Sequence, residues 1–477
     1  MLALKRLTTL IVLLSVFVSA FAETKTVTIL AINDMHANLG QMPKLGAIID
    51  SLRAVYPDLF VVSAGDNRTG DPFNDAYKEP SRPMTEIMNT LGFRASAVGN
   101  HEFDSDIPAF RTEFFRAKFD FLCANIDVPD SMGFAFAPYK IYDIGGVSVG
   151  LLGVVQVGNR GIPDCHPDHV RGLTFRPVEP TIALYADSLR TKCAIAILLS
   201  HIGYDDDVQM ARKFPMFDAI IGGHSHTLVD ANTLENNVLI TQSANKVRYC
   251  TLLKFEVEDG KVTRKTSELI NIRATKRKSQ EVKKMVDFYC SNPAFDEVIC
   301  KFQTKIEDKA TFGTLIADAQ RFATKSQIGI MNGGGVRLES FKQSKFTLKD
   351  AMMLDPFDNS MWVFDLKPKQ LKQVLLECYE NDEHVQPYVS GLKYQMYIGK
   401  DGKAKKVKIY AEDGKKLKNS TKYRTAFSSY LLSIVNLKES DGKPSDKSSR
   451  GCLIDYLRGE GTISQTPPTR TELIKSK

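Results

Sequence analysis

The sequence lacks several features that would place the protein in other classes. After residue 22 it has no run of 18 uninterrupted apolar residues, so we expect no stable membrane insertion of the mature chain. It has no CxxC pair of the kind that forms thiolate zinc sites. It also has no alternation of basic and aromatic residues, no biased tract and no internal repeat. These absences favour a globular protein that does not bind nucleic-acid polymers.

The first 22 residues differ from the rest of the 477-residue chain. Lys5 and Arg6 precede an almost unbroken apolar run from Leu10 to Val18, and small residues follow at Ala20 and Ala22. This pattern predicts a secretory signal peptide, cleaved before Glu23. A retained membrane anchor is the alternative, but the run is short for a spanning helix. We therefore expect a periplasmic or extracellular protein of unknown oligomeric state.

The formal net charge is +7, and two of these charges belong to the predicted signal peptide. Basic runs occur at residues 276–278 and 403–408. Such runs are usually solvated faces, although a mild positive field could also attract anionic substrates.

The eight cysteines are widely spaced. Cys123, Cys193 and Cys250 lie in apolar, strand-like runs, and we expect them to be buried thiols. Export permits disulfides, and Cys290 with Cys300 is the predicted pair.

The pattern of apolar runs predicts two units. Residues 25–272 alternate β-rich runs with helical or loop stretches, which indicates a layered α/β domain. The strands predicted in the chain are Val27–Ile32, Leu59–Ser63, Ala95–Val98, Phe119–Ala124, Val147–Val155, Ala194–Ser200, Ala219–Ile221, Val238–Thr241, Cys250–Val257, Gln327–Met331, Lys393–Ile398 and Tyr423–Phe427. A helix predicted from Ser279 to Tyr289 would link this unit to a second one that begins near residue 295. The predicted boundaries are a signal peptide at 1–22, a catalytic domain at 23–272, a linker at 273–294 and a substrate-binding domain at 295–477.

Five short motifs follow apolar runs in the first unit, at strand ends where α/β sheets bind ligands. They are Asn33-Asp34-Met35-His36, Gly65-Asp66-Asn67, Gly99-Asn100-His101-Glu102-Phe103-Asp104, Leu199-Ser200-His201 and Gly223-His224-Ser225-His226. Asp34 and His36 would point the same way in an extended segment. Asp104 is close enough in sequence to orient the ring of His101.

Each motif alone is weak, because an Asp-x-His at a strand end is more often a turn or capping feature than a metal ligand. Together they contain five of the eight histidines, with carboxylates and an amide between them. This is a ligand set for first-row divalent ions in hydrolytic sites. The other histidines, His166, His169 and His384, are expected at the surface.

These motifs resemble the signature of the calcineurin-like metallophosphoesterases and, more narrowly, of the 5′-nucleotidase and UDP-sugar hydrolase family. The resemblance implies a four-layer α/β/β/α sandwich, a linker helix and a C-terminal α+β substrate domain. It also implies two divalent ions, with zinc, manganese or cobalt the expected metals. One ion would be held by Asp34, His36 and His226, the other by Asn100, His201 and His224, with Asp66 bridging them. His101 would act on the phosphoryl group or the leaving group, oriented by Asp104.

The second unit carries Asn332-Gly333-Gly334-Gly335-Val336-Arg337 and Pro356-Phe357-Asp358-Asn359. Without the resemblance, the glycines indicate a tight turn. Phe357 is as consistent with a core residue as with an exposed ring that stacks on a planar base. The same segments resemble the C-terminal domain of the 5′-nucleotidases. The resemblance implies a substrate-binding set of Asn332, Gly334, Arg337, Phe357, Asn359 and Tyr430.

The chain departs from the family at two places. Asn436 stands where a Gly-Gly-Asp-Gly loop has its acidic residue. Lys305, Asp308 and Lys309 stand where the family tends to have arginines for the substrate phosphate. A lysine is a point charge and does not reproduce an arginine fork.

The predicted function is two-metal hydrolysis of nucleoside 5′-monophosphates to nucleoside and phosphate. The same resemblance includes UDP-sugars as further substrates. A 2′,3′-cyclic nucleotide phosphodiesterase with 3′-nucleotidase activity is the alternative. A non-catalytic binding protein with a relict metal site is a more remote one, because the ligand set is complete.

Overall fold

The computed structural model describes residues 24–382 and 384–475. The predicted signal peptide at residues 1–22, with its cleavage before Glu23, lies outside these ranges. Within them, no helix is both long and apolar enough to cross a bilayer.

Two six-stranded sheets form the centre of the N-terminal unit. Its strands are β1 (Lys25–Ile32), β2 (Phe60–Ser63), β3 (Phe93–Ala97), β4 (Asp120–Leu122), β5 (Ile126–Asp127), β6 (Tyr139–Ile144), β7 (Val147–Val155), β8 (Thr174–Phe175), β9 (Ile195–His201), β10 (Ala219–Ile221), β11 (Leu234–Glu235), β12 (Val238–Thr241), β13 (Tyr249–Glu258) and β14 (Lys261–Asn271). The strand orders are β14-β13-β1-β2-β3-β4 and β11-β12-β10-β9-β7-β6. Strands β1 to β4 run parallel, as do β7, β9, β10 and β12.

Six helices cover the outer faces of these sheets and their loops: α1 (Met42–Arg53), α2 (Pro72–Asp75), α3 (Arg82–Leu91), α4 (Ile107–Arg116), α5 (Val178–Arg190) and α6 (Tyr204–Lys213). Between the sheets, Ile29 of β1 packs in one buried cluster with Val149 of β7. Ile49 of α1 belongs to the core outside the first sheet, and Ile182 of α5 to the core outside the second. The unit is therefore a four-layer α/β/β/α sandwich, and its parallel strands are apolar because both faces are covered.

A helix, α7 (Gln280–Tyr289), lies in the segment predicted as a linker. Its Val282 is buried in the core outside the first sheet, and a side chain at Gly46 of α1 would collide with Ser279 and Val282. The helix is thus docked on the N-terminal unit. The exact domain boundaries remain predictions.

The C-terminal unit is a mixed α+β arrangement of one five-stranded and two three-stranded sheets. Its strands are β15 (Val298–Phe302), β16 (Ile328–Met331), β17 (Lys345–Thr347), β18 (Ser360–Leu366), β19 (Tyr388–Ser390), β20 (Leu392–Ile398), β21 (Ala404–Ala411), β22 (Tyr423–Ser428), β23 (Gly442–Ser448), β24 (Thr462–Ile463) and β25 (Thr471–Lys475). Its helices are α8 (Lys309–Ala323), α9 (Leu348–Leu354), α10 (Pro368–Asn381), α11 (Ser429–Ile434) and α12 (Ser449–Glu460).

The predicted Cys290–Cys300 disulfide is wrong. All eight cysteines, which lie within the described residues, are free thiols. Cys290 packs against the core of the N-terminal unit, whereas Cys300 is buried in a core of the C-terminal unit, so the two side chains belong to different clusters. Cys123, Cys193 and Cys250 are buried, as predicted.

Candidate metal centre and substrate cleft

The five motifs meet at one edge of the sandwich, where β1, β2, β3, β9 and β10 end. The backbone there is unusual, since five of the predicted ligands have left-handed φ values between 46° and 78°: Asp34, His36, Asp66, His224 and His226. Such φ values are uncommon outside glycine and cluster at functional sites. Asp34 and His36 therefore converge through this backbone geometry, and the predicted extended segment is wrong.

A first cluster of donor atoms contains Asp34, His36 and His226. His226 Nε2 lies 3.3 Å from Asp34 Oδ1 and 2.9 Å from His36 Nε2. The Nδ1–H of His36 donates to the carbonyl of Thr69 at 3.0 Å, which leaves Nε2 as the ligating nitrogen. Burial, followed by the charge of Arg337, holds the pKa of His36 well below its ordinary value, so the ring is neutral, as a metal ligand must be.

A second cluster joins Asp66 and His201 to the first. His201 donates from Nδ1 to the Ala64 carbonyl at 2.6 Å and places Nε2 3.2 Å from Asp66 Oδ2. That Nε2 is buried and has no hydrogen-bond partner among the described residues. Burial lowers the pKa of His201, but the Asp66 carboxylate outweighs it and raises the pKa to about 10. The atom thus requires a positive charge beside Asp66, which a proton or a metal cation can supply.

Asn100 and His224 lie at the same end of the site. His224 Nδ1 is 3.0 Å from Asn100 Oδ1, close to the ~3 Å that separates two ligands of one ion when each bond is ~2.1 Å. A side chain at Gly99 would come within 2.2 Å of Asp66 Oδ1, so glycine is required for Asp66 to approach this loop. The structure therefore brings all seven predicted ligands to one place.

Glu102 supports this arrangement from behind, a role the sequence analysis missed although the residue lies inside a quoted motif. Its buried carboxylate accepts the backbone N–H groups of Asp66, Asn67 and Gly99 at 2.6–3.0 Å. Burial, with the nearby Asp66, raises the pKa of Glu102 to about 7. Because it binds two ligand loops at once, Glu102 sets their relative position.

His101 belongs to neither predicted ligand set, although its ring lies close enough to His36 and Asp66 to form a third group of possible metal ligands with them. Its Nδ1–H donates to Asp104 Oδ2 at 2.6 Å, which is the orientation the sequence predicts, and its Nε2 lies 3.9 Å from Asp66 Oδ2. Burial lowers the pKa of His101, but the carboxylates of Asp104 and Asp66 raise it above its ordinary value. The imidazole is therefore suited to act as a proton donor near neutral pH.

A cleft opens beside His101, between the two units. It is lined from the N-terminal unit by Asn100, His101 and Asp104, and from the C-terminal unit by the whole predicted substrate-binding set: Asn332, Gly334, Arg337, Phe357, Asn359 and Tyr430. Of the seven predicted metal ligands, Asn100 lines this cleft, together with the predicted catalytic pair His101 and Asp104. The predicted catalytic pair and the predicted substrate-binding set, which lie in separate halves of the chain, thus meet in one cleft.

Phe357 stands in this cleft, so it is not a core residue. Its ring stacks on His101 at a centroid distance of 5.8 Å and an angle of 20°, and the Arg337 guanidinium lies 5.8 Å from its centroid. Arg450 holds the turn in place by donating to Asp358 at 2.7 Å.

The loop at Asn332–Gly335 is indeed a tight turn, with Val336 N–H donating to the Gly333 carbonyl at 3.2 Å. Asp382 accepts from Gly334 N–H at 2.7 Å and from the Asn332 amide at 3.2 Å. Gly334 is therefore required for close approach to Asp382, while the loop still faces the cleft.

Two of the histidines expected at the surface also line the cleft. His166 and His169 are half-buried there, whereas His384 is exposed. The expectation failed because residues 156–173 form a loop that folds back over the cleft, which no sequence pattern of this loop indicates.

The departures from the family have structural explanations. Asn436 is exposed and is absent from the cleft lining, and its N–H donates to Glu377 at 2.7 Å. Tyr430 belongs to α11 and lines the cleft. Asp308 is the N-cap of α8, accepting Thr311 N–H at 2.8 Å, which is a helix-starting role.

Comparison with known proteins agrees with this geometry. A sequence profile of the calcineurin-like phosphoesterases matches residues 27–228, and a profile of the 5′-nucleotidase C-terminal domain matches residues 297–434. The chain belongs to the 5′-nucleotidase family of calcineurin-like phosphoesterases. It is therefore a phosphoester hydrolase that depends on divalent metal ions.

Relatives and a solved structure extend the match over most of the chain. The 5′-nucleotidase of Vibrio cholerae is 25% identical over 88% of this chain and 86% of its own. The trifunctional nucleotide phosphoesterase YfkN of Bacillus subtilis is 26% identical over 85% of this chain, which spans only 31% of that longer protein. The crystal structure of a 5′-nucleotidase precursor from Thermus thermophilus, 23% identical, superposes with a TM-score of 0.82 over 94% of this chain and 99% of that one.

Proposed function

We propose that this family member hydrolyses nucleoside 5′-monophosphates to nucleoside and phosphate at a centre of two divalent ions. The observation that carries the proposal is one cleft, in which Asn100, His101 and Asp104 of the N-terminal unit face the predicted substrate contacts of the C-terminal unit, while Arg337 of that set reaches His36 of the donor cluster. Relatives named as 5′-nucleotidases support the choice of substrate.

The residues present fit two ions. Asp34, His36 and His226 would hold one, Asn100, His201 and His224 the other, with Asp66 shared between them. The unpartnered His201 Nε2 and the close approach of His36 to His226 are the features that cations would satisfy. Imidazole-rich sets of this kind favour zinc, manganese or cobalt. When bound, such ions supply a nucleophile at neutral pH and neutralise charge on the phosphoryl group.

The chain itself would position the phosphate and supply the proton. Arg337 Nη2 reaches to 3.4 Å from His36 Nε2, so the C-terminal unit brings a guanidinium to the edge of the donor cluster. A guanidinium there can bind phosphoryl oxygens through two parallel hydrogen bonds. His101, held by Asp104, would donate its Nε2 proton to a phosphoryl or leaving-group oxygen.

The base would occupy the part of the cleft lined by Phe357, Asn359 and Tyr430. Aromatic rings stack on any base with ~1–3 kcal/mol, so these residues support nucleotide binding without choosing a base. We also propose export to the periplasm or the extracellular space, on the strength of the N-terminal sequence pattern.

A substrate panel tests the proposal. The mature chain, loaded in turn with Mn²⁺, Zn²⁺, Co²⁺ and Mg²⁺, is assayed for phosphate release from nucleoside 5′-monophosphates, 3′-monophosphates, 2′,3′-cyclic nucleotides and UDP-sugars. We expect the highest kcat/KM for 5′-monophosphates. Preference for the cyclic nucleotides would replace the proposal with the diesterase alternative, and preference for UDP-sugars would make the enzyme a nucleotide-sugar hydrolase. No turnover with any metal would favour the non-catalytic reading.

A further inference from the structure

The cleft has a wall that the proposed function leaves unused. The segment from Gln156 to Leu173, here called the histidine loop, follows β7 and contributes Asp164, Cys165, His166 and His169 to the cleft lining. Phe357 and Tyr430 line the same cleft from the C-terminal unit. Asn436, which stands in place of the acidic residue of the family's glycine-rich loop, does not reach the cleft. Contacts to the edge of a base held there therefore come from residues other than Asn436, such as Asn359 or those of the histidine loop.

The histidine loop is attached to both ends of the site. The Asn100 amide donates to the Asp164 carbonyl at 3.0 Å, and Gln156 Nε2 donates to Asp164 Oδ2 at 2.8 Å. Arg160 donates to the Cys165 carbonyl at 3.3 Å and to Ser433 Oγ of α11 at 3.4 Å.

The Arg160 guanidinium also lies 5.9 Å from the ring centroid of Tyr430. The loop therefore contacts the predicted metal ligand Asn100 on one side and Tyr430 of α11 on the other.

Within this loop, His166 has a defined hydrogen-bonding direction. Its Nδ1 accepts the Asp168 N–H at 3.3 Å, so the neutral ring carries its proton on Nε2. Its neighbour His169 lies 5.2 Å away between ring centroids, and His169 Nδ1 is buried with no hydrogen-bond partner among the described residues. Burial, then the charges of His169 and Arg160, lower the pKa of His166, which favours this neutral donor form.

Resting on the proposed function, we propose that His166 is a specificity-determining residue: it donates a hydrogen bond from Nε2 to an acceptor on the edge of the base that stacks in the cleft. His169 packs beside it and fixes the ring. The residue that recognises the base then belongs to the N-terminal unit. It lies in the histidine loop, which also contacts Asn100. His166, His169 and Arg160 could instead bind a second phosphate of the substrate. A neutral His166 disfavours this alternative, because it adds no positive charge.

The test compares His166→Ala and His166→Gln with wild type, each loaded with the metal that gives the highest activity. kcat/KM is measured for AMP, GMP, CMP and UMP, for ribose 5-phosphate, which has no base, and for p-nitrophenyl phosphate. For at least one base we expect His166→Ala to lower kcat/KM by about 3- to 10-fold, mainly through KM, as for loss of one hydrogen bond. Ribose 5-phosphate and p-nitrophenyl phosphate should change less than about twofold, and His166→Gln, whose amide can donate in place of Nε2, should recover part of the loss.

The outcomes of this test separate a failure of the inference from a failure of the proposed function. His384→Ala, at an exposed histidine far along the chain, serves as the matched control, and metal content and Tm are measured for every variant. If wild type prefers nucleotides over ribose 5-phosphate and His166→Ala keeps every base preference, the inference fails and the proposed function stands. If wild type shows no such preference, both fail. An equal loss for all substrates would make His166 structural, and a loss confined to substrates with a second phosphate, growing below pH 6.5, would make the pair an anion site.

Discussion

Asp104→Asn is the sharpest test of how the site moves a proton. The His101–Asp104 hydrogen bond is 2.6 Å long, and both side chains are largely buried. A hydrogen bond to a charged group is worth ~1.5–3 kcal/mol, and each pKa unit corresponds to ~1.4 kcal/mol. Asparagine cannot stabilise the imidazolium in this way, so the pKa of His101 should fall. Bound cations would offset the charge of Asp66, which leaves Asp104 as the partner that keeps His101 protonated.

Loss of Asp104 should therefore reduce kcat at high pH. The protonated form is the proposed donor, and Asp104 extends its range to higher pH. In the variant, kcat should begin to fall at a lower pH than in wild type, with a loss of about 10- to 100-fold on the alkaline side. The assay is kcat against pH from 5 to 9, with metal content measured in parallel.

Asp106→Asn is the matched control, since Asp106 is an exposed N-cap two residues away and asparagine caps equally well. The reasoning would be refuted by a kcat that falls equally at every pH, or by loss of metal from Asp104→Asn. Either result would show that Asp104 holds the architecture of the centre and does not set the protonation of His101.

Four other substitutions test separate parts of the structure. Asp66→Ala should remove bound metal and activity together, and metal analysis that finds full occupancy would contradict the shared-ligand assignment. His101→Ala should keep both metals while kcat falls by ~10²-fold or more, so loss of metal would make it a ligand. Phe357→Ala should raise KM for nucleotides by about tenfold with little change in KM for p-nitrophenyl phosphate; an equal rise for both would leave the ring a structural role. Asp207 is buried, its carboxylate oxygens have no hydrogen-bond partner among the described residues, and burial raises its pKa to about 8. Because the pKa of Asp207 is raised in the folded state, its contribution to stability is present at low pH and is lost as the pH rises toward 8. The Tm of Asp207→Asn should therefore increase relative to that of wild type between pH 5 and pH 8, by roughly 2–4 °C for each kcal/mol of stability that wild type loses. Tm curves of variant and wild type that stay parallel over this pH range would contradict the prediction.

The elements that sequence patterns predicted well are those whose burial is encoded locally. The apolar runs at β7, β10 and β12 were located to the residue, because strands covered on both faces need continuous apolar sequence. Strand β14 was missed, since most of its residues are polar, only one is buried, and the strand lies at a sheet edge. Strand β18 was missed as well, although its buried residues pack in two clusters of the C-terminal unit.

The candidate site divides in the same way. The motifs and the family resemblance named the predicted metal ligands, His101 and the predicted substrate-binding set, and the structure brings these residues together around one site. Their roles remain predictions. The buried support of Glu102 could have been suspected from its place in the motif. No local pattern pointed to His166 and His169, which become cleft residues only through the path of the loop after β7.

The sequence by itself thus determined the kinds of atoms available, the order of strands and loops that carry them, and the class of chemistry. Tertiary structure alone decided three further matters: the left-handed backbone that turns Asp34 and His36 toward one point, the separation of Cys290 from Cys300 into different cores, and the meeting of the two units around one cleft. The physical reason is the separation along the chain over which each kind of interaction acts. Apolar periodicity and turn chemistry act over a few residues, whereas contacts such as Arg337 with His36 join atoms about 300 positions apart and exist only once both units have packed.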